Sequence, residues 1–158
     1  MLYEVKGNIV TDTQYTIFCH QVNCQGVMGA GLAKQIRERY PSVYEDYMRE
    51  INSGRPLLGS KICTMTADDR VCISMFAQDG YGQYMCYTNY VAFQIILDNI
   101  EHELNMLYSG QINLPPVAFP YKIGCGLAGG NWDIIYRMIQ KFSERIPNDV
   151  YIVKLEVV

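Results

Sequence analysis

Apolar and polar positions along the chain change period several times, and each change marks an element. Leu2–Lys6 alternates and stops at Gly7, which predicts a first strand. Tyr15–Val22 is a run of β-branched and aromatic residues and predicts a second. Leu32 and Ile36, four apart, open a helix that must end near Tyr40, before Pro41. Ser42 followed by Glu45 has the form of a capping box and predicts a helix over Ser42–Asn52, closed by Ser53, Gly54 and Pro56. Lys61–Ala67 and Val71–Ala77 read as short strands joined by a polar turn at Asp68–Arg70, and Gln78–Cys86 as a polar loop rich in tyrosine. Asn89–Tyr108 carries Val91, Ile95, Ile96, Ile100, Leu104 and Leu107 at helical spacing. Asn113–Phe119 predicts a strand, with Pro115 and Pro116 favouring its ends. Trp132–Arg145 sets Ile135, Met138, Ile139 and Phe142 on one helical face, and Val150–Val158 alternates as a last strand.

Strands and helices mix along the whole length, so the expected class is α/β: a mixed sheet of about six strands with helices on both faces. The chain of 158 residues suits a single domain, 1–158. A formal charge of −3 gives it no broad basic face for duplex nucleic acid. It does not exclude a nucleotide held by backbone donors, which add nothing to net charge. The N-terminal sequence lacks the character of a signal peptide, and no run approaches about 18 apolar residues, so a cytoplasmic location with no membrane contact is expected. Six cysteines without a C-x-x-C pair, and only two histidines, imply no zinc site and no other metal or cofactor. Cys63 and Cys72 lie in apolar runs and are expected to be buried.

Two glycine-rich segments carry the candidate chemistry. Gly26-Val-Met-Gly-Ala-Gly31 and Gly124-Cys-Gly-Leu-Ala-Gly-Gly130 each run from a strand into a helix. Glycines let a backbone approach a ligand, and a helix start offers unpaired N–H groups to an anion. Gly26–Gly31 has P-loop spacing, but Leu32 stands where the lysine is required. Gly124–Gly129 matches G-x-G-x-x-G, yet only one strand of chain remains beyond it, too little for a dinucleotide fold. Two such loops instead fit a diphosphate held from both sides.

Taken with Val5-Lys-Gly-Asn-Ile9, Val22-Asn-Cys-Gln25 before the first loop, Asn131-Trp132 after the second, and Phe76–Tyr90, these segments resemble the macrodomain family over nearly the whole chain. The likeness is to the branch holding ADP-ribose-1″-phosphate phosphatases and terminal ADP-ribose protein glycohydrolases. It implies a three-layer α/β/α fold and a cleft for ADP-ribose or a derivative. Asn8 would replace the aspartate that usually receives the adenine amino group, and Ile9 would pack near the base. Val22 and Ile123 would line the cleft, and Asn23 would contact the distal ribose. Backbone N–H groups of Met28, Gly29, Ala30 and Gly31, and of Gly124, Cys125, Gly126, Leu127 and Ala128, would hold the diphosphate and distal ribose.

The glycohydrolase members use a lysine after the fourth strand and an aspartate in the second glycine loop. This chain has no lysine between Lys61 and Lys122, and Ala128 stands at the aspartate position. Hydrolysis of ADP-ribose-1″-phosphate is therefore the leading expectation. A pure binding module and a hydrolase of ADP-ribosylated protein or nucleic acid by another mechanism are the alternatives, each acting as a monomer. His20, near Asn23, is a candidate proton shuttle or else a satisfied strand-end histidine. Asp79 is a candidate to orient water, or else a solvated loop acid. His102 reads as solvent-facing and Cys125 as structural. Trp132 reads as the packing residue of the second loop, and Tyr81, Tyr84 and Tyr87 as a lid or an exposed aromatic loop.

Overall fold

A computed structural model describes residues 1–82 and 85–156. The elements run β1 (Leu2–Gly7), β2 (Ile17–Asn23), α1 (Gly31–Arg39), α2 (Pro41–Asn52), β3 (Lys61–Met65), β4 (Val71–Gln78), α3 (Tyr90–Tyr108), β5 (Val117–Pro120), α4 (Trp132–Glu144) and β6 (Val150–Leu155). One six-stranded sheet has the order β1-β6-β5-β2-β4-β3; only the β3–β4 pair is antiparallel. The five parallel strands therefore end on one side of the sheet, where ligands collect in open α/β folds.

The alternation of β2 divides the core. Ile17 and Cys19 pack with Phe93, Ile96 and Ile100 of α3 and Ile135, Ile139 and Phe142 of α4. Phe18 and Val22 pack on the other face with Ile36 of α1 and Val43 and Tyr47 of α2. A strand covered on both faces must be apolar at nearly every position, as β2 is. No helix among the described residues is long and apolar enough to cross a membrane.

Four expectations need correction. The capping box at Ser42 does not form: Pro41 is the first helical residue, Tyr40 precedes it, and no side chain caps this end. Proline's fixed φ and missing N–H suit that first position. Asn113–Phe119 shortens to Val117–Pro120, because Pro115 and Pro116 cannot donate to a ladder and Asn113 takes φ 58°. Val150–Val158 ends at Leu155, and Val157 and Val158 lie outside the described residues. Cys63, on edge strand β3, is exposed, whereas Cys72 is buried as expected.

Arg70 was read only as part of a turn, yet it is 1% exposed. Its guanidinium donates to the carbonyls of Ile9 (2.7 Å), Val10 (2.8 Å) and Tyr15 (3.0 Å) and to the Tyr40 hydroxyl (2.9 Å). It also stacks 3.9 Å from the Phe18 ring centroid. The segment between β1 and β2 has no strand partner of its own, and this side chain ties it to the sheet while Asn8 and Asp12 close its turn. Arg70→Met leaves those acceptors buried without donors and should cost roughly 3 kcal/mol or more, read from urea unfolding. A variant as stable as the wild type would contradict this role.

Candidate functional site

The strand ends and the two glycine loops enclose a cleft of about 540 Å³. One wall is the first loop, from Val27 to the start of α1; the facing wall is the second, from Lys122 to Ala128. One end is apolar and built from Ile9, Pro120, Val153 and Leu155, with Asn8 on its rim; Gln21, Gln78 and Tyr81 border the cleft elsewhere.

The first loop is shaped from beneath. Asn23 is buried, and its Oδ1 accepts from the backbone N–H groups of Gln25 (2.9 Å) and Val27 (3.3 Å), while its Nδ2 donates to the Val27 carbonyl (2.7 Å). The Tyr47 hydroxyl lies 2.8 Å from both the carbonyl and Oδ1 of Asn23 and accepts from Gly26 N–H at 3.0 Å. Burial pushes the Tyr47 phenol up to about 12, so it remains a neutral donor. Asn23, expected to contact the distal ribose, thus spends its oxygen and one N–H on the loop itself.

The second loop is tied by a chain of polar groups. Gln78 Nε2 donates to the Gly80 carbonyl. Gln21 Nε2 donates to Gln78 Oε1 (2.8 Å) and to Thr88 Oγ1 (3.0 Å), and Thr88 Oγ1 donates to the Gly124 carbonyl (2.6 Å). A backbone carbonyl terminates this chain at each end, so the direction of every bond in it is fixed. Gly124 has φ 73°, which side-chain-bearing residues rarely adopt, and a Cβ there would sit 2.7 Å from Gln21 Oε1, so a larger residue would be strained and would displace that amide. The carbonyl of Ala128 accepts from Tyr87 and Thr88 N–H. Trp132, expected to pack the second loop, lies edge-on against Tyr121 (5.3 Å) and Tyr136 (5.9 Å) on either side of it.

With the loops held in this way, much of their backbone is left over. The N–H groups of Met28, Gly29, Ala30 and Gly31, and of Gly124, Gly126, Leu127 and Ala128, meet no protein acceptor among the described residues. All eight residues line the cleft, as do Asn8, Ile9, Val22, Asn23 and Ile123. Cys125 does not: its N–H donates to the Lys122 carbonyl, and burial pushes its thiol up to about 11, opposite to a helix-activated nucleophile. Tyr81 borders the cleft, Tyr87 does not, and Tyr84 lies outside the described residues.

The two residues expected to carry catalysis are separated. His20 lines the cleft but is 1% exposed, with Nε2 2.7 Å from Ser74 Oγ and Nδ1 buried without a partner among the described residues. Burial lowers its pKa to about 4, so it is neutral near pH 7. Asp79 is exposed and outside the cleft; its carboxylate accepts from Gln25 Nε2 at 3.3 Å, and only its backbone carbonyl, bonded to Cys24 N–H, supports the first loop. No Asp or Glu among the described residues lines the cleft, and Lys122 is its one lysine or arginine among them. His102 is exposed. No cluster of metal-ligating side chains is found among the described residues.

Tyr47, Gln21, Gln78, Thr88 and Lys122 were not singled out from sequence. Only Tyr47 left a signal: it falls four residues after Val43 on the buried face of α2, and a buried tyrosine hydroxyl needs a partner.

No family model matches the chain. It is 28% identical to the ADP-ribose 1″-phosphate phosphatase of Saccharomyces cerevisiae, over 93% of this chain and 96% of that one. It is 28% identical to the DNA ADP-ribosyl glycohydrolase of Mycobacterium tuberculosis, over 78% of this chain and 34% of that one. In structure it is similar to the macrodomain of Mycobacterium tuberculosis DarG, with TM-score 0.80, 19% identity and 99% of both chains covered. It is also similar to Thermosipho africanus DarTG in complex with ADP-ribose, with TM-score 0.76, 18% identity, and 96% of this chain and 40% of that one covered.

Two outcomes follow from the geometry. A histidine that stays neutral in the folded protein but takes a proton when unfolded subtracts stability as pH falls below 6.5, down to about 4. Urea unfolding between pH 7.5 and 4.5 should show a loss on the order of 3 kcal/mol that His20→Gln lacks; parallel pH profiles would refute it. Tyr47→Phe strands the Gly26 N–H and should cost about 1–3 kcal/mol, measured in the same way.

Proposed function

This chain is a macrodomain by fold, and we propose that its cleft binds ADP-ribose and hydrolyses ADP-ribose 1″-phosphate to ADP-ribose and phosphate. One observation carries the binding: eight backbone N–H groups without protein partners among the described residues, on two loops that face each other across one cleft. A diphosphate supplies acceptors for such donors, and side-chain charge is not required. The apolar end at Ile9, Val153 and Leu155 suits the flat faces of a base.

Turnover is supported by the likeness to the yeast phosphatase, which spans nearly all of both chains. The cleft fits a reaction driven by positioning and charge stabilisation. Transfer of a phosphoryl group to water passes through a loose transition state whose charge lies on the phosphoryl oxygens. Loop N–H groups and the Lys122 ammonium answer that charge, and no lining carboxylate among the described residues opposes it. The likeness in sequence to the DNA ADP-ribosyl glycohydrolase of Mycobacterium tuberculosis favours a second reading, removal of ADP-ribose from modified DNA. Ala128 and the absence of any lysine between Lys61 and Lys122 weigh against the lysine–aspartate route to it.

Calorimetric titration with ADP-ribose tests the binding. Incubation with ADP-ribose 1″-phosphate and with ADP-ribosylated DNA, following released phosphate or released ADP-ribose, separates the two reactions. Gly29 gives a controlled variant, since a Cβ there meets no atom within 4 Å and its φ is not left-handed. Gly29→Val should keep its stability within about 0.5 kcal/mol yet bind ADP-ribose at least about tenfold more weakly. Unchanged affinity would show that the first loop does not hold the ligand.

A further inference from the structure

The base end of the cleft has a hydrogen-bonding polarity that its residue type conceals. Asn8 Oδ1 accepts from Val10 N–H at 3.0 Å and from Thr11 N–H at 3.3 Å. The Asn8 carbonyl accepts from Thr11 and Asp12 N–H, and the Asn8 N–H donates to Asp12 Oδ2 at 2.8 Å. Of the polar atoms of Asn8, the amide nitrogen alone has no protein partner among the described residues. The amide cannot be turned over, because its NH₂ would then face two backbone N–H donors. Arg70, bonded to the carbonyls of Ile9 and Val10, holds the same turn and with it this orientation. Asp12, the nearby carboxylate, does not line the cleft.

We infer that Asn8 meets the base of a bound nucleoside diphosphate ribose as a hydrogen-bond donor, so the site does not select for the 6-amino group of adenine. This rests on the ADP-ribose reading of the cleft and reverses the role expected of Asn8, which was to accept from that amino group. A donor there pairs with a ring nitrogen of adenine or with the 6-carbonyl of hypoxanthine. The ligand class is therefore a purine nucleoside diphosphate ribose rather than its adenine form alone. An aspartate at this position could still receive the Val10 and Thr11 N–H groups on one oxygen, but would turn a second acceptor toward the base.

Calorimetric titration of the wild type and Asn8→Asp with ADP-ribose and with inosine diphosphate ribose tests the inference. The wild type should bind the two within about fivefold of each other, while Asn8→Asp should favour ADP-ribose by at least about tenfold. A wild-type preference for ADP-ribose beyond fivefold, or the same ratio in both proteins, would overturn the donor assignment and leave the cleft reading standing. Failure of both nucleotides to bind the wild type would overturn the cleft reading and this inference with it.

Discussion

The guanidinium of Arg70 is the constraint on which the ligand side of the molecule depends. Four of its five N–H donors are spent on the segment 9–15 and on Tyr40. Its positive charge is buried against Phe18, with Asp68 near enough to be held below the usual carboxylate range by hydrogen bonds from Thr66 and Tyr40 and by the arginine itself. A lysine could not serve, since its three donors radiate from one point and cannot reach separate carbonyls in a plane. Removing the fork would release the segment that follows β1, and with it the turn that sets which atom of Asn8 faces the cleft. A side chain from the β3–β4 turn thus braces the turn that orients the Asn8 amide at the opposite edge of the sheet.

The glycine loops are held by the same economy. Each has a small number of buried side chains that occupy some of its backbone atoms and leave the others unpaired. Asn23 and Tyr47 take the N–H groups of Gln25, Gly26 and Val27, and stop where Met28 begins. Thr88 takes the carbonyl of Gly124, which Gly130 N–H also reaches. Among the described residues the unpaired donors of the first loop, Met28 to Gly31, are therefore contiguous, and in the second only the paired N–H of Cys125 interrupts the run from Gly124 to Ala128, so both sets are preorganised. A loop that had to rearrange to present them would lose part of the binding free energy to ordering.

The architecture was largely legible because it rests on periodicity, a local property. The long helix α3 and the strongly one-sided α4 came through at nearly their true lengths. The failures were also local rules, overruled by a neighbour: Pro41 displaced the capping role of Ser42, and the pair Pro115–Pro116 cut β5 short. Cys63 lies on the edge strand, where an apolar run does not guarantee cover on both faces. Cleft residues were legible as positions, because the glycine loops mark where strands give way to helices. Their roles were less so. Sequence cannot say which atom of Asn8 or Asn23 the backbone will claim, nor that Arg70 will donate to carbonyls 55 to 61 residues away. Each of these depends on partners that only the fold brings together.

The electrostatics of the cleft then follow from what lines it. A chain of net charge −3 that takes an anion must gather positive potential locally. Lysines and arginines would supply it at the cost of desolvating mobile charged groups, whereas backbone dipoles are already fixed and already partly dehydrated. Among the described residues Lys122 is the one lysine or arginine that lines the cleft, held in the left-handed region at φ 59° where the chain turns into the second loop, with its Nζ 5.5 Å from the Tyr121 ring centroid. Burial keeps His20 neutral, and Asp79 is left outside, so neither a second cation nor an opposing anion competes within the walls. Recognition by dipoles is also recognition by shape, because each donor has a direction as well as a sign. The residues that aim those donors, Asn23, Tyr47, Gln21 and Thr88, are for that reason as much a part of the site as the glycines they hold.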